Sequence, residues 1–460
     1  MVRHILAVLG LIAIVVAAGF FYLSRPDTAR VPVEAVAGVR PQIGSPRVQT
    51  LPTVEIAEPV GWGQARPTAA AGLQVQPFAT GLDHPRWLYR LPNGDVLVAE
   101  SNSPPRPKRG ITDVVMGFLM GRAGAGTPSA NRITLLRDAD GDGVAELKTP
   151  FMTGLNSPFG MALHQGRLYV ANTDALVRVP YQDGQTRITA RPEVVARYPG
   201  AGNHWTRDVV VGPDGRSLLV SVGSASNIAE KGFDVEQRRA NILQIWPDDG
   251  NQRIYAAGLR NPVGMAINPV TRQPWVVVNE RDMLGSDLAP DYLTQVQFGD
   301  HFGWPWYYWG GYIDRRVEPR NPQLQQYSKR PDYAMGPHVA ALGLTFTDGL
   351  RLGPRFASGA IVGEHGSWNR KPPSGYKVVY VPFGANGFPL PGSKPVDLLT
   401  GFLTADGEAR GRPVGVEADR TGALLVADDV GNVIWRVSAG RTRVARATRE
   451  TPKLGRLGAS

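Results

Sequence analysis

One pattern recurs six times along this chain: a short apolar strand, a tight turn rich in Pro, Asn, Asp or Gly, and a second apolar strand. The copies occupy residues 83–100, 157–172, 207–222, 261–280, 343–365 and 412–429. Each such hairpin leaves an apolar face and open sheet edges that only neighbouring copies can cover, so six copies call for a closed repetitive architecture. With 54 Gly and 39 Pro, the chain also favours many tight turns over long helices. The pattern predicts an all-β protein, a six-bladed β-propeller. A sandwich, the competing all-β arrangement, has no reason to repeat one hairpin so regularly. In a propeller the central channel gathers one loop from every blade, so polar residues at the strand ends share a rim.

The ends of the chain read differently. Residues 5–23 form an apolar run behind Arg3 and His4, about as long as the ~20 residues a helix needs to cross a bilayer. This run is long for a signal-peptide core, and Ala17-Ala18-Gly19 is a weak cleavage site. Residues 1–24 are therefore expected to be a membrane anchor, or a signal segment in the alternative. The bulk of the protein is then exported, on the periplasmic or extracytoplasmic face and tethered to the inner membrane, or secreted if the segment is cleaved. Residues 25–76, rich in Pro and Ala without periodicity, suit a semi-extended stalk, part of which could pack as an edge strand. Residues 77–440 hold the propeller and 441–460 a basic disordered tail.

Composition narrows the function classes. The 460 residues are 42% hydrophobic and 20% charged, enough for a large core. There is no cysteine, so disulfides, thiolate metal sites and a Cys-x-x-Cys-His haem attachment are all excluded. The formal charge of +10 sits largely in the expected stalk and tail. No basic motif interleaved with aromatics accompanies it, so nucleic acid is not an expected partner.

Several short motifs stand at the expected strand ends. They are Gly202-Asn203-His204, Gly258-Leu-Arg260-Asn261-Pro262, Asn279-Glu-Arg-Asp282 with Asp291-Tyr292, Phe302-Gly-Trp-Pro305, Glu364-His-Gly-Ser-Trp-Asn-Arg370, and Gly411-Arg412-Pro with Ala427-Asp-Asp. Taken together and in this order, over roughly residues 80–437, they resemble the pyrroloquinoline quinone (PQQ) sugar dehydrogenases. The sorbosone or aldose sugar dehydrogenase type is the most similar.

The resemblance implies a propeller that binds PQQ and Ca²⁺ over the channel and oxidises the C1 hydroxyl, or hydrated aldehyde, of a sugar. It assigns His204 as the general base, a role suited to a neutral imidazole near neutral pH. Asn203 departs from the acidic neighbour other members carry, so this imidazole must be oriented by something else. Arg260 matches the cation beside the reactive carbonyl, and Asn261 a neighbouring cofactor contact. Arg410 and Arg412 match a pair gripping the PQQ carboxylates, a task for which the guanidinium fork is suited. Arg370 and Asn156 match further cofactor contacts. The main-chain carbonyls of Asp282 and Met283 match ligands of the cofactor calcium. A separate electron acceptor, a cytochrome or a quinone, must then serve the reduced enzyme.

Outside that resemblance the same residues have plainer readings. A lone turn histidine commonly bonds its own loop, and Arg-Asn-Pro is a turn signal. Of the other histidines, His84, His164 and His301 read as structural, while His338 and His365 are secondary rim candidates. The run Trp304 to Trp309 is either blade packing or a platform for a ligand. Asp138-x-Asp140-x-Asp142-Gly143 with Glu146 opens like a calcium loop but has Thr149 where the closing Glu belongs. It is a structural Ca²⁺ site or a plain acidic turn. Two rivals remain: a calcium-dependent lactonase-type hydrolase, and a binding propeller without catalysis.

Overall fold

Each recurring segment forms the two inner strands of an antiparallel sheet, and six such sheets, five of four strands and one of five, make a six-bladed propeller. The computed structural model describes residues 2–440 except 24, 50, 106–109, 111–116 and 201; the tail expected at 441–460 lies outside the described residues. The inner strands are Pro85–Arg90, Met161–His164, Val209–Val211, Asn261–Ile267, Ala341–Phe346 and Pro413–Ala418, for blades 1 to 6 in chain order. Consecutive inner strands touch around the ring, with the last against the first.

Packing follows from the period-two pattern. Every blade is apolar on both faces, and each gap between neighbouring blades holds its own apolar cluster. Trp87 and Phe159 lie between blades 1 and 2 with ring centroids 4.6 Å apart; Trp275 and Phe383 lie between blades 4 and 5 at 5.0 Å. The ring is closed by sequence-distant pairing. Strand Leu73–Thr80 supplies the outer strand of blade 6, with Leu73 opposite Ala439 and Thr80 opposite Val433. Just before it, Thr68–Ala69 pairs with Thr400 and Leu399 as a fifth, edge strand of blade 5, so part of residues 25–76 does pack as an edge strand and the sheets begin at Thr68, nine residues before the expected boundary.

The segment before it is not a free stalk. Val36, Ala37, Thr53 and Ala57 are buried. The amide of Glu55 donates to the carbonyl of Trp368 (2.9 Å), that of Val60 to Ala409 (2.8 Å), and that of Gly38 to Ala334 (2.8 Å). Lacking any strand or helix period, this stretch satisfies its backbone polar groups on the loops of blades 4 to 6. It is a strap across one face of the propeller.

The N-terminal helix Val2–Leu23 has 22 residues. Among the described residues no helix is long and apolar enough to cross a membrane, so the expected anchor rests on the sequence alone.

Antiparallel connectivity decides which loops meet. Chain leading into an inner strand, and the loop joining the second strand of a blade to the third, lie at the same end of that blade. All twelve such segments share what we term the upper face. Residues 204, 260, 282, 365, 370, 410, 412 and 429 all fall in them.

Candidate active site

His204 precedes the inner strand of blade 3 and is half-buried. Its Nδ1 lies 2.9 Å from the carbonyl oxygen of Ser224 and 3.0 Å from the Ser224 hydroxyl. A carbonyl can only accept, so Nδ1 carries the proton and the basic lone pair is on Nε2. The Ser224 hydroxyl in turn donates to the carbonyl of Ser226 (2.6 Å). The Asn203 side chain is turned to Lys231, from which its Oδ1 accepts (2.9 Å). A backbone carbonyl thus orients the imidazole where other members have an acidic neighbour. Gly223 permits the arrangement: a Cβ there would stand 2.5 Å from Asn261 Oδ1 and 2.6 Å from His204 Cβ.

The amide of Ser224 donates to the carbonyl of Arg260 (2.8 Å), which links the imidazole to the next cation. Arg260 is buried at the start of blade 4. Its Nη2 donates to Asp282 Oδ2 (2.7 Å) and Asn227 Oδ1 (2.9 Å), and its Nη1 to the carbonyl of Glu280 (2.6 Å). The other Asp282 oxygen accepts from Asn369 (2.8 Å). Beside Arg260, Asn261 Nδ2 donates to Asn279 Oδ1 (3.3 Å), and Asn279 in turn donates to the carbonyl of Ala341 (2.7 Å). His338 Nε2 donates to the carbonyl of Gly285 (3.0 Å), and the ring sits 3.9 Å from Asp282; burial lowers its pKa, with Asp282 opposing.

Across the channel mouth, Arg412 opens blade 6. Its guanidinium lies 4.8 Å from the Tyr376 ring and 3.4 Å from the carbonyls of Gly366 and Ala57. Its amide donates to Asp428 Oδ1 (2.8 Å), while Asp428 Oδ2 accepts from the Trp62 indole of the strap (2.7 Å). Loop 365–370 spans the two halves, touching Arg412 through Gly366 and Asp282 through Asn369. His204, Arg260 and Arg412 are thus on one face. Arg410, half-buried, stands two residues before Arg412 at the same rim. Arg370 is also at this face but is buried, and it donates to the carbonyls of Ser286 (3.0 Å) and Pro372 (2.6 Å). Its guanidinium is committed to the scaffold.

A second ionic centre adjoins Arg412. Asp429, 1% exposed, accepts from Arg86 and from His365 Nε2 (2.9 Å), and lies 3.4 Å from His84 Nε2. Burial pushes the Asp429 carboxyl up, but His365, His84 and Arg86 outweigh it and hold it far below the usual range. Burial pulls His365 down to about 4 against the pull of Asp429. Arg86, Ser224 and Asn227 were not singled out by sequence, whereas Asp429 closes the Ala427-Asp-Asp motif. The repeat register holds a signal for the first: His84-Pro85-Arg86 occupies the place of Asn261-Pro262 and Arg412-Pro413 in blades 4 and 6.

The remaining expectations fall elsewhere. Asn156 leads into blade 2, exposed, and donates to Asp174 (3.0 Å). Asp138, Asp140, Asp142 and Glu146 bring their carboxylate oxygens within 4.8 Å of one another, but on the opposite face and with loop amides already donating to them. The aromatic run is mainly packing: Tyr308 and Trp309 belong to the cluster between blades 3 and 4, and Trp306 stacks on Phe233 at 5.2 Å. The carbonyls of Asp282 and Met283 accept from Arg316 Nη1 at 3.0 and 3.2 Å. Below the rim a cavity of about 270 Å³ follows the inner strands past Asp208 and Glu417.

Does an anionic quinone cofactor fit these residues? Among the described residues, Asn261 Oδ1 and Arg412 Nε are buried with no hydrogen-bond partner. Buried polar atoms rarely stay unpaired, and here they flank the same mouth as four arginines. The donor set suits a planar polycarboxylate.

A family model described as TrAA12-like matches residues 67–297 and 290–440. The chain belongs to the TrAA12-like family. It is also similar to a solved structure of the Trichoderma reesei protein of Carbohydrate-Active Enzymes family AA12, at 20% identity and a TM-score of 0.66, covering 84% of this chain and 99% of that one. A second structure, the pyranose dehydrogenase PQQ domain of Coprinopsis cinerea, matches at 21% identity and a TM-score of 0.64, covering 81% and 97%. The aldose sugar dehydrogenase YliI of Escherichia coli is 25% identical over 201 residues, 41% of this chain and 49% of that protein. The kinship is the one the motifs pointed to. The strap lies outside the matched residues.

Proposed function

We propose that this TrAA12-like protein is a PQQ-dependent sugar dehydrogenase that oxidises C1 of an aldose or a related sugar of the sorbosone type. One observation carries the reading: an imidazole with its lone pair on Nε2, a buried Arg260 and a buried Arg412 converge on one face of the propeller. The names of the relatives, a pyranose dehydrogenase PQQ domain and an aldose sugar dehydrogenase, support it.

When bound, PQQ supplies a quinone able to accept a hydride. The protein's own residues do the rest. Arg412, Arg410 and Asn261 would hold that anionic group. His204 Nε2 takes the proton from the sugar hydroxyl, and the Ser224 carbonyl keeps the ring turned for that task. Arg260, fixed by Asp282 and Asn227, places a cation where negative charge grows. Among the described residues Arg410 and Arg412 have no carboxylate partner, so the mouth keeps a cationic character, which disfavours the lactonase reading, since hydrolysis through calcium needs converging acidic ligands.

With no cysteine for a covalent haem, electrons leave through a separate cytochrome or quinone. The anchored, extracytoplasmic location rests on residues 5–23, whose Ile5, Val8, Leu11 and Ile14 are more than half exposed along the helix. Deleting residues 1–24 is expected to move the protein from the membrane to the soluble fraction.

The test of function is direct. Purified protein with PQQ, CaCl₂ and a dye acceptor is offered a panel of aldoses and sorbosone. Dye reduction that needs both PQQ and sugar is expected; no reduction with any sugar would overturn the proposal.

A further inference from the structure

The two main-chain carbonyls expected to hold a cofactor calcium have no lone pair left to offer one. A carbonyl oxygen carries two lone pairs. That of Asp282 accepts from Asn227 Nδ2 (3.2 Å) and Arg316 Nη1 (3.0 Å). That of Met283 accepts from the Gln49 amide (3.2 Å) and the same Arg316 Nη1 (3.2 Å). The Asp282 carboxylate is divided between Arg260 and Asn369.

Arg316 is not a loose surface side chain that has drifted onto the loop. Its Nε and Nη2 form a fork on Asp314, at 2.9 and 2.7 Å, and Asp314 is 2% exposed. That leaves Nη1 as the corner aimed at the two carbonyls. Gln49 comes from the strap, which lies outside the family match. Arg316 and the strap therefore both occupy these carbonyls.

We propose that Arg316 stands in for a metal ion at this loop: a fixed guanidinium, seated on the carbonyls of Asp282 and Met283, provides the local positive charge, and the anionic cofactor binds without calcium. The inference rests on the PQQ reading above. A guanidinium supplies one positive charge in place of two, but one already oriented by a buried carboxylate and independent of metal supply.

Fluorescence titration of the full-length protein with PQQ, in EDTA and in CaCl₂, reads the outcome without turnover. The wild type is expected to bind equally in both. Arg316→Gln is expected to lose roughly tenfold to a hundredfold in EDTA, the worth of a charge-assisted contact, and calcium should recover part of the loss. Arg316→Lys, which keeps the charge, should retain most of the affinity in EDTA. If the wild type binds PQQ only with calcium, or if Arg316→Gln binds as the wild type does in EDTA, the inference fails and the PQQ reading stands. If PQQ binds under neither condition, both fail; the wild-type comparison alone decides these points even if a variant does not fold.

Discussion

His204 is the residue whose role is most exposed to test. Its Nδ1 is held by Ser224, so His204→Asn should preserve the fold and PQQ binding while lowering sugar turnover about 10²- to 10⁴-fold, the usual share of a positioned general base. A dye-linked rate measured beside a PQQ titration separates the two effects. Asp429 carries a different burden. Arg86 is 7% exposed and depends on it, so Asp429→Asn leaves a buried guanidinium uncompensated, at a cost of about 3–5 kcal/mol. The expected readout is a large fall in melting temperature; an unchanged midpoint would show that the cluster is not structural. At this scale the sequence was partly legible. His204, Arg260 and Arg412 sit beside turn residues whose spacing marks strand ends. Ser224, Asn227 and Arg316 do not, because their roles arise from contacts between segments far apart in the chain, and no local pattern records such a contact. Arg370 shows the converse: its position in a motif was readable, but its direction, onto the carbonyls of Ser286 and Pro372, was not.

Hairpins were the most legible elements. All six segments found by pattern are the inner strand pairs, because an alternating apolar strand with a glycine turn admits few other structures. The strap was not legible, since Pro- and Ala-rich chain without a period looks alike whether it dangles or lies bonded to neighbouring loops. Trp62 is where its anchorage concentrates. Its ring stands edge-on to Phe402 and Trp435 at 5.2 and 5.1 Å, and its indole donates to Asp428. Trp62→Ala is expected to destabilise the protein by about 1–3 kcal/mol and to raise hydrogen exchange at the amide of Arg412, which Asp428 holds. Exchange at that amide matching the wild type would show that the strap does not support the arginine. Blade packing makes a sharper demand at Gly343, where a Cβ would stand 2.0 Å from the carbonyl of Val414 on the next inner strand. Gly343→Ala should spread blades 5 and 6 and lower the melting temperature markedly.

The whole molecule is a closed ring, and its channel carries a pH signature. Burial pushes Asp208 up to about 8 from an ordinary 3.8, against two backbone N–H bonds, and Glu417 up to about 7 from 4.5. Between the ordinary and the raised values the folded state keeps protons that the unfolded chain has released. Stability from these groups is therefore full at acid pH and falls as pH rises, by up to ~1.4 kcal/mol per pH unit for each group. Thermal melts from pH 5 to 8 should show a shallower decline in the double variant Asp208→Asn, Glu417→Gln than in the wild type. A decline of equal slope would remove these carboxyls from the account. Ring closure by Leu73–Thr80 was hidden from sequence for a related reason: the strand pairs with residues 433–439, at the other end of the fold.

The central claim is that the arginine-lined upper face holds PQQ. Equilibrium titration of the purified apoprotein with PQQ, followed by its visible absorption and by Trp quenching, tests this most directly. One PQQ per chain is expected, with affinity weakened at least about tenfold in Arg412→Gln and kept in His204→Asn. Absence of saturable binding, or binding indifferent to Arg412, would contradict it.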